Sequence, residues 1–259
     1  MANERTALLI GEESASALAE ATVLVVGTGG VGGMAVESLA RSGVGRLILV
    51  DRDVVEASNT NRQLAALTDT VGQPKTEVLA ARIRQIDPEI EVIPVCGFYD
   101  RNMNDRLDEL HPDFVLDCID SLHAKQDLIE YCTSRKIPFV SSMGMARRKD
   151  PSQLAIMELD KTAGDPLAKR LRVWRRKQRI REKVFVCCSR ELPGPVQAGS
   201  PLPSMMFVPA AAGLVMGAEC IRQLTEKAAG QNRKENRDQQ TDNTDASCRT
   251  EERNHSNAI

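Results

Sequence analysis

Short apolar runs alternate along the chain with longer segments in which apolar residues recur at helical spacing. The runs at 23–26 and 47–50 contain only valine, leucine and isoleucine, which is typical of strands. Between 75 and 86, apolar residues recur at helical spacing until Asp87 and Pro88 give a stop signal. Because strands and helices alternate, the pattern predicts an α/β, Rossmann-like fold with a mostly parallel sheet flanked by helices and a C-terminal extension.

The same pattern predicts most of the individual elements. They are a pair of short helices within 4–20, strands at 23–26, 47–50, 90–95, 114–119, 139–142 and 152–159, helices at 31–42, 75–86, 102–110 and 166–183, a helix containing 128–129, a strand near 184–188, and a strand leading into a helix at 210–224. Strand 152–159 is expected at the sheet edge. Helix 210–224 is rich in alanine and glycine, so we expect close packing, with another subunit as one candidate partner.

Composition limits the organisation of the chain. Its 259 residues are 42% apolar and support one core, predicted over 1–228, whereas the polar composition of 229–259 predicts a disordered tail. The net charge of −2 restricts any nucleic-acid surface to a local patch. No signal peptide and no long apolar stretch are found, and the seven cysteines form no CxxC pair. These features predict a cytoplasmic chain with reduced thiols and no membrane partner.

A glycine-rich turn at 27–33 joins the first strand to the first long helix. Gly27 allows the sharp turn, Gly29 and its neighbour Gly30 let a phosphate approach the backbone, and Gly32 permits close helix packing. Asp51 ends the second strand, where a carboxylate is placed to bind ribose hydroxyls. This part of the chain predicts a nucleotide site.

The residues that follow indicate which nucleotide binds. Arg62 and Lys75 supply cations for the additional phosphates of a triphosphate, and Asp120 at a strand end is placed to hold Mg²⁺. The remaining candidate ATP-binding residues are Asp53, Asn59, Asn61 and Gln63. Each has a structural alternative, such as a turn-forming asparagine or a solvated lysine. Their order after the predicted strands favours an ATP site.

These motifs resemble those of the ubiquitin-activating-enzyme-like superfamily, the ThiF and MoeB type of ATP-dependent adenylyltransferase. The matching motifs are GxGGVG at 27–32, NxNRQ at 59–63, GxxK at 72–75 and DCID at 117–120. Within the superfamily the chain resembles the tRNA threonylcarbamoyladenosine dehydratases, through RTALLIG at 5–11, DPLAK at 165–169, FVP at 207–209 and AGL at 212–214. The resemblance covers about residues 4–228 and implies that 1–228 is a ThiF-type ATP-binding domain.

The resemblance implies an activity and a set of partners. ATP with Mg²⁺ would activate the carboxylate of threonylcarbamoyladenosine in tRNA as an acyl adenylate, which then cyclises. Arg62, Lys75 and Asp120 would be catalytic in a homodimer, and Arg5 would reach the partner's ATP site; a solvated terminal arginine is the alternative for Arg5. Sulfur-carrier proteins and cysteine desulfurases stay open as partners.

A basic segment at 166–183 holds nine lysines and arginines against one acid. Apolar residues recur within it at helical spacing, so it is interpreted as an amphipathic helix with a basic outer face. This face is a candidate tRNA surface, which 147–149 would extend, and a solvated helix face is the alternative. The candidate tRNA-binding residues are Arg170, Arg172, Arg175, Arg176 and Lys177.

Three further features have weaker functional interpretations. Cys187 and Cys188 are possible acyl acceptors, but neighbouring strand residues face opposite sides of a sheet, and free cysteines are commonly buried hydrophobes. His123 is interpreted as a surface residue. The loop 194–204, rich in glycine and proline, is expected to move over the substrate.

Three alternative functions are open from the sequence. An activating enzyme for a ubiquitin-like sulfur carrier is disfavoured by the missing CxxC zinc pairs and by the basic helix. A non-catalytic nucleotide-binding scaffold is disfavoured by the complete set of Arg62, Lys75 and Asp120. An NAD-dependent dehydrogenase fits least.

Overall fold

The computed structural model describes residues 4–229, which form one α/β unit. Its strands are β1 (Thr22–Val26), β2 (Arg46–Asp51), β3 (Glu91–Cys96), β4 (Phe114–Asp117), β5 (Phe139–Ser142), β6 (Leu154–Glu158) and β7 (Phe185–Ser189). The helices are α1 (Glu4–Ile10), α2 (Glu12–Glu20), α3 (Gly32–Ser42), α4 (Lys75–Ile86), α5 (Asn104–Leu110), α6 (Leu122–Arg135), α7 (Pro166–Gln178) and α8, which starts at residue 207. Apart from residue 229, the predicted polar tail lies outside the described residues.

The seven strands form one sheet in the order β3-β2-β1-β4-β5-β7-β6. All neighbouring strands are parallel except the pair of β6 and β7, and β6 is the edge strand that the sequence predicts. The Rossmann-like, mostly parallel fold is therefore confirmed. The strand order reverses between β1 and β4, so a crevice opens at their carboxyl ends.

Both faces of the sheet are covered by helices. Val23 and Val25 of β1 face a core formed with α3, α4 and α8, whereas Leu24 and Val26 face a second core formed with α5, α6 and α7. All five residues of β1 are buried, which explains why its sequence is almost entirely apolar. None of the helices in 4–229 is long and apolar enough to cross a bilayer.

Several predicted elements differ from the structure. The strand predicted at 114–119, for example, ends at Asp117. The basic helix α7 ends at Gln178 rather than at 183, because Arg179 takes a left-handed conformation with φ of 57° and caps the helix. The strand predicted before residue 210 does not form. Residues 201–206 are irregular and α8 begins at residue 207, since a proline such as Pro209 is tolerated in the first turn of a helix.

Helix α8 packs against α3 of the same chain. A Cβ atom at Gly213 would lie 2.3 Å from the carbonyl oxygen of Val31, and one at Gly217 would lie 2.2 Å from the Oγ of Ser38. The small residues of α8 therefore serve an intramolecular contact, which holds α8 against the start of α3.

The variant Gly213→Ala is expected to lower stability by about 1–3 kcal/mol, because the obstructing atom is backbone and cannot rotate away. For a chain of this size each kcal/mol lowers the melting temperature by about 2–4 °C, which thermal unfolding would detect. Gly97→Ala is the control, since its Cβ would meet only Met103 Cε at 3.5 Å. Equal melting temperatures for the two variants would contradict the close packing of α8.

Candidate active site

A cavity of about 510 Å³ lies at the carboxyl ends of β1 to β5. The predicted site residues among its lining are Gly27, Gly29, Gly30, Asp51, Asp53, Arg62, Gln63, Lys75 and Asp120. A larger groove of about 660 Å³ runs between Phe185 and α8, but it contains none of the predicted residues. Most of the residues that the sequence predicts to bind a nucleotide therefore lie around the 510 Å³ cavity and not around the larger groove.

The glycine turn takes the shape that its sequence predicts. Gly27 has φ of 87°, and a Cβ on Gly32 would lie 1.8 Å from the carbonyl oxygen of Gly27. Gly32 thus closes the turn against the start of α3 and does not line the cavity. Gly29 and Gly30 present their backbone to the cavity, where an anion can meet the N-terminus of α3.

Asp51 is held in place by the glycine turn itself. The backbone N–H of Thr28 donates to Asp51 Oδ2 over 2.6 Å and the Thr28 hydroxyl donates to the same oxygen over 2.8 Å. The other oxygen accepts from the N–H of Asp53 over 2.9 Å. The carboxylate is oriented at the end of β2 and keeps acceptor capacity for ribose hydroxyls. Thr28 was not anticipated, because a threonine within a glycine turn has no distinctive pattern.

Both predicted cations are fixed by neighbouring acceptors. Lys75 is only 5% exposed, and its Nζ lies 2.9 Å from Asp53 Oδ2. Arg62 Nη1 donates to the carbonyl oxygen of Ser58 and to Asn61 Oδ1, each over 2.9 Å. The two positive groups therefore line the cavity in set positions, where charge-assisted hydrogen bonds to phosphate oxygens are strong.

The structure places Asn59 and Asn61 in the supporting loop rather than in the cavity lining. Asn59 is 5% exposed, and its Oδ1 accepts from the N–H of Glu56 over 3.2 Å. Asn61 Nδ2 donates to the carbonyl oxygen of Ser204 over 2.9 Å. Both amides follow the turn-forming alternative, since asparagine readily bonds nearby backbone groups.

Gln63 lies beside the glycine turn with a buried acceptor. Its Oε1 has no hydrogen-bond partner within the described chain, and Nε2 lies 3.7 Å from the Cβ position of Gly29. A buried oxygen without a partner costs free energy unless a ligand or water donates to it. Gln63 is therefore suited to contact a bound nucleotide.

The two acids of the DCID motif have different environments. Asp117 is buried at the end of β4 and forms an ion pair with Lys125 over 2.8 Å. Asp120 lies three residues beyond β4, is exposed to the cavity, and makes no hydrogen bond or ion pair with any residue in 4–229. The ion pair was missed because Lys125 lies on the following helix, eight residues from Asp117.

The acids in the cavity fit Mg²⁺ that binds together with a nucleotide. Asp120 is available, Asp51 and Asp53 line the same space, and residues 4–229 contain no cluster of three or more histidine, cysteine or acidic ligands. Mg²⁺ typically binds one or two carboxylates together with substrate phosphates rather than a protein cage. The donor set agrees with that arrangement, and the role of Asp120 as the protein ligand stays a prediction.

Comparison with known proteins assigns the family. The family model described as "ThiF family" matches residues 3–258. The chain belongs to the ThiF family. The tRNA threonylcarbamoyladenosine dehydratase of Bacillus subtilis is 42% identical over 236 residues, covering 85% of this chain and 93% of that protein. The Escherichia coli protein of the same name is 46% identical over 167 residues, covering 64% of this chain and 62% of its own length.

A solved structure shares the fold over nearly the whole ThiF-family unit. It is the E. coli dehydratase TcdA in complex with ATP, which is 39% identical with a TM-score of 0.81 and covers 88% of this chain and 95% of that chain. Because the aligned region covers 88% of this chain, it includes elements that follow β5 as well as the strands that form the cavity.

Arg5 and His123 lie outside the cavity at the carboxyl ends of the strands in their own chain. Arg5 is exposed on α1, and His123 is exposed in the first turn of α6; neither residue is part of the cavity lining. The surface interpretation of His123 is consistent with this position. The role of Arg5 across subunits stays a prediction.

The basic helix divides into bonded and free cations. Arg172 donates to the carbonyl oxygen and hydroxyl of Thr162, and Arg175 is bonded to Asp160 and to the carbonyl oxygen of Glu182. Arg170, Arg176 and Lys177 are exposed. These three make no side-chain hydrogen bond or ion pair with any residue in 4–229, unlike the other two predicted tRNA-binding residues.

The expected extension of the basic surface through 147–149 is limited by a buried ion pair. Arg148 is 3% exposed, and its Nη2 lies 2.8 Å from Asp165 Oδ2. Asp165 also accepts from the N–H of Ala168 and thereby caps α7. Arg148 therefore anchors the start of the basic helix and is not available to nucleic acid.

The loop 194–204 borders the cavity at the carboxyl ends of the strands. Leu202 and Ser204 contribute to its lining, and the N–H of Arg147 donates to the carbonyl oxygen of Pro203 over 2.8 Å. At the other end of the loop, the N–H of Gly194 donates to the carbonyl oxygen of Arg147 over 2.8 Å. The loop is thus fixed at both ends beside the cavity, and its movement stays a prediction.

Cys187 and Cys188 lie on β7 and face opposite sides of the sheet, one in each core. Neither lines the cavity. Burial raises the pKa of Cys187 to about 12, and burial together with the nearby Asp165 carboxylate raises the pKa of Cys188 to about 11. Because the thiolate is the reactive form, both thiols are poorly suited to accept an acyl group.

Alkylation of the native chain with iodoacetamide at pH 7.5 is expected to modify the exposed Cys96 and to spare Cys187 and Cys188. A raised pKa reduces the thiolate fraction, and burial also blocks the reagent. Peptide mass spectrometry measures each site, and the unfolded chain provides the control in which all three should react. Native modification of Cys187 or Cys188 at the rate of Cys96 would contradict the burial of these thiols.

Proposed function

We propose that this chain is an ATP-dependent tRNA threonylcarbamoyladenosine dehydratase that cyclises its substrate through an acyl adenylate. The main support is the cavity that brings the glycine turn, Arg62, Lys75 and the free carboxylate of Asp120 together at the topological switch point. The named relatives, one of them aligned over 93% of its length, support the same activity.

The first step is activation of the substrate carboxylate. A carboxylate reacts poorly with nucleophiles because oxide would be the leaving group. Its attack on the α-phosphate of ATP forms an acyl adenylate and expels pyrophosphate. Arg62 and Lys75 are positioned to offset the negative charge that develops on the phosphates. When bound at Asp120, Mg²⁺ would supply further charge neutralisation and act as a Lewis acid.

The second step is ring closure within the substrate. The carbamoyl group beside the threonyl carboxyl attacks the activated carbonyl, and AMP leaves with the oxygen that it gained in the first step. Because both groups belong to one molecule, their effective concentration is high and an elaborate acid–base apparatus is unnecessary. The cavity lining in 4–229 accordingly contains no histidine.

We also propose that the enzyme acts as a homodimer in the cytoplasm, where tRNA and ATP are available. Helix α1 exposes Leu8 at 79% and Leu9 at 84%, and burial of such side chains favours association. Arg5 lies on the same helix and outside its own cavity. A second subunit covering α1 would bury the leucines and would give Arg5 access to the partner's ATP site.

The deciding experiment measures AMP and pyrophosphate release from ATP with Mg²⁺, using tRNA that carries threonylcarbamoyladenosine. We expect release only with the modified tRNA, and loss of one water from the nucleoside by mass spectrometry. Asp120→Ala should lower the rate on the order of 100-fold or more, because it removes the ligand for the charge-stabilising metal. Asp69→Ala, which changes an exposed acid outside the cavity lining, should retain activity.

A different result would move the chain to the alternative function. Pyrophosphate exchange with a ubiquitin-like sulfur-carrier protein, without any response to modified tRNA, would identify a carrier-activating enzyme. ATP binding without either reaction would identify a nucleotide-binding scaffold.

We propose that the exposed cations of α7 bind tRNA phosphates. Leu167 in the first turn of α7 lines the cavity, so the helix leads outward from the ATP site and carries Arg170, Arg176 and Lys177 along its exposed face. At about 1.5 Å per residue, the 13 residues of α7 extend roughly 20 Å. A bound tRNA could therefore contact this face while its modified nucleoside occupies the cavity.

The triple variant Arg170→Ala/Arg176→Ala/Lys177→Ala is expected to weaken tRNA binding. It should also lower the slope of log binding constant against log salt concentration by about two to three, because each lost phosphate contact lowers this slope by about one. Binding assays at several salt concentrations would measure both effects, and ATP affinity should not change. The matched control is Arg84→Ala/Arg106→Ala/Lys136→Ala, which removes three exposed cations on other helices or their ends. Equal losses in both triple variants would contradict a specific role for α7.

A further inference from the structure

Lys125 is a fully buried lysine for which the proposed chemistry gives no direct role. Its Nζ lies 2.8 Å from Asp117 Oδ2 and donates to Ser141 Oγ over 3.1 Å. The Ser141 hydroxyl in turn donates to Asp117 Oδ2 over 2.6 Å. The lysine and aspartate side chains are both 0% exposed, and none of the three residues lines the cavity. The three side chains form a closed polar network beneath the carboxyl ends of β4 and β5.

Stability alone does not account for this network. Transfer of an ammonium and a carboxylate from water to the interior costs several kcal/mol per ion, so a buried ion pair is often no more stable than packed apolar side chains. Its value lies in fixed geometry, because the surrounding structure holds both charges in one arrangement.

The network holds the segment 118–121, which carries Asp120. Asp117 Oδ1 accepts from the N–H of Ile119 over 3.1 Å, and the N–H of Cys118 donates to the carbonyl oxygen of Val26 over 2.8 Å. At the other end, the N–H of Lys125 donates to the carbonyl oxygen of Ser121 over 3.0 Å and begins α6. Lys125 thus connects the start of α6 to the end of β4 and fixes the segment at both ends.

Asp120 depends on this backbone for its position. Within 4–229 its carboxylate makes no hydrogen bond or ion pair, so no side chain orients it directly. Groups that support a metal ligand commonly change metal affinity or activity by about 10–100-fold when they are removed. A shift of the segment would move Asp120 relative to the phosphates of bound ATP.

We infer that Lys125, Asp117 and Ser141 are positioning residues that set the backbone carrying Asp120 and thereby determine how strongly Mg²⁺ promotes ATP binding. This inference rests on the proposed ATP site, but it does not depend on tRNA as the substrate. The positioning residues act through Asp120 and do not contact the nucleotide.

Titration calorimetry with ATP, in the presence and absence of Mg²⁺ and without tRNA, tests the inference. For Lys125→Met we expect the Mg²⁺-dependent gain in ATP affinity to fall about 10-fold, while affinity without Mg²⁺ stays within about twofold. A role limited to stability would lower the melting temperature without changing this ratio. The full-length chain is used throughout.

Two further variants make the result decisive. Lys125→Met leaves the Asp117 carboxylate buried without its partner, so this single variant can fail to fold. The double variant Asp117→Leu/Lys125→Met removes both charges, keeps the interior neutral and replaces the single variant in that case. The double variant also loses the contact from Asp117 to Ile119 and should show the same reduced gain. Leu107→Ala removes a fully buried side chain from α5 and provides a destabilised control that keeps the full gain.

The inference is overturned if the folded variants retain the full Mg²⁺-dependent gain, or if Leu107→Ala loses it equally. A wild-type chain without any gain overturns both the metal assignment and the inference. A wild-type chain that shows the gain but does not act on modified tRNA overturns only the proposed function.

Discussion

The active-site arrangement depends on the close approach of β1 and β4 where both strands end. A Cβ atom on Gly27 would lie 2.7 Å from the carbonyl oxygen of Cys118, so the two backbones can meet only because residue 27 is glycine. The Cys118 N–H also donates to the carbonyl oxygen of Val26. This contact places the phosphate-facing turn beside the segment that carries Asp120, and a side chain at residue 27 would separate them.

The site divides its polar residues between ligand-facing groups and groups that orient them. Thr28 holds Asp51, while Asn61 accepts from Arg62 and binds the loop 194–204 through Ser204. Asn61 is adjacent in sequence to the arginine that it orients, whereas Thr28 and Asp51 are 23 residues apart and meet only in the folded chain. The NxNRQ motif therefore combines one cation, Arg62, with a neighbouring amide that fixes its position.

Much of the fold and part of the site follow from local patterns. The apolar strand β1, the glycine turn and α3 are consecutive in sequence, and Asp51 ends the next strand, so their relation is set by the strand–turn–helix–strand geometry. The buried ion pair was not predictable, because the contact between Lys125 in the first turn of α6 and Asp117 at the end of β4 depends on the path of residues 118–121. The end of α7 was also missed, since the left-handed Arg179 has no glycine signal. The partner of α8 was not predicted either, because the sequence does not show that Gly213 and Gly217 face α3.

The start of the basic helix is bonded to the wall of the cavity. Asp165 caps α7 and pairs with Arg148, and a Cβ at the cavity residue Gly144 would lie 3.2 Å from Asp165 Oδ2. The first turn of α7 is thereby held against the cavity wall by a buried ion pair. If a polyanion binds along α7 as proposed, the position and length of this helix would determine which part of the polyanion can reach the cavity.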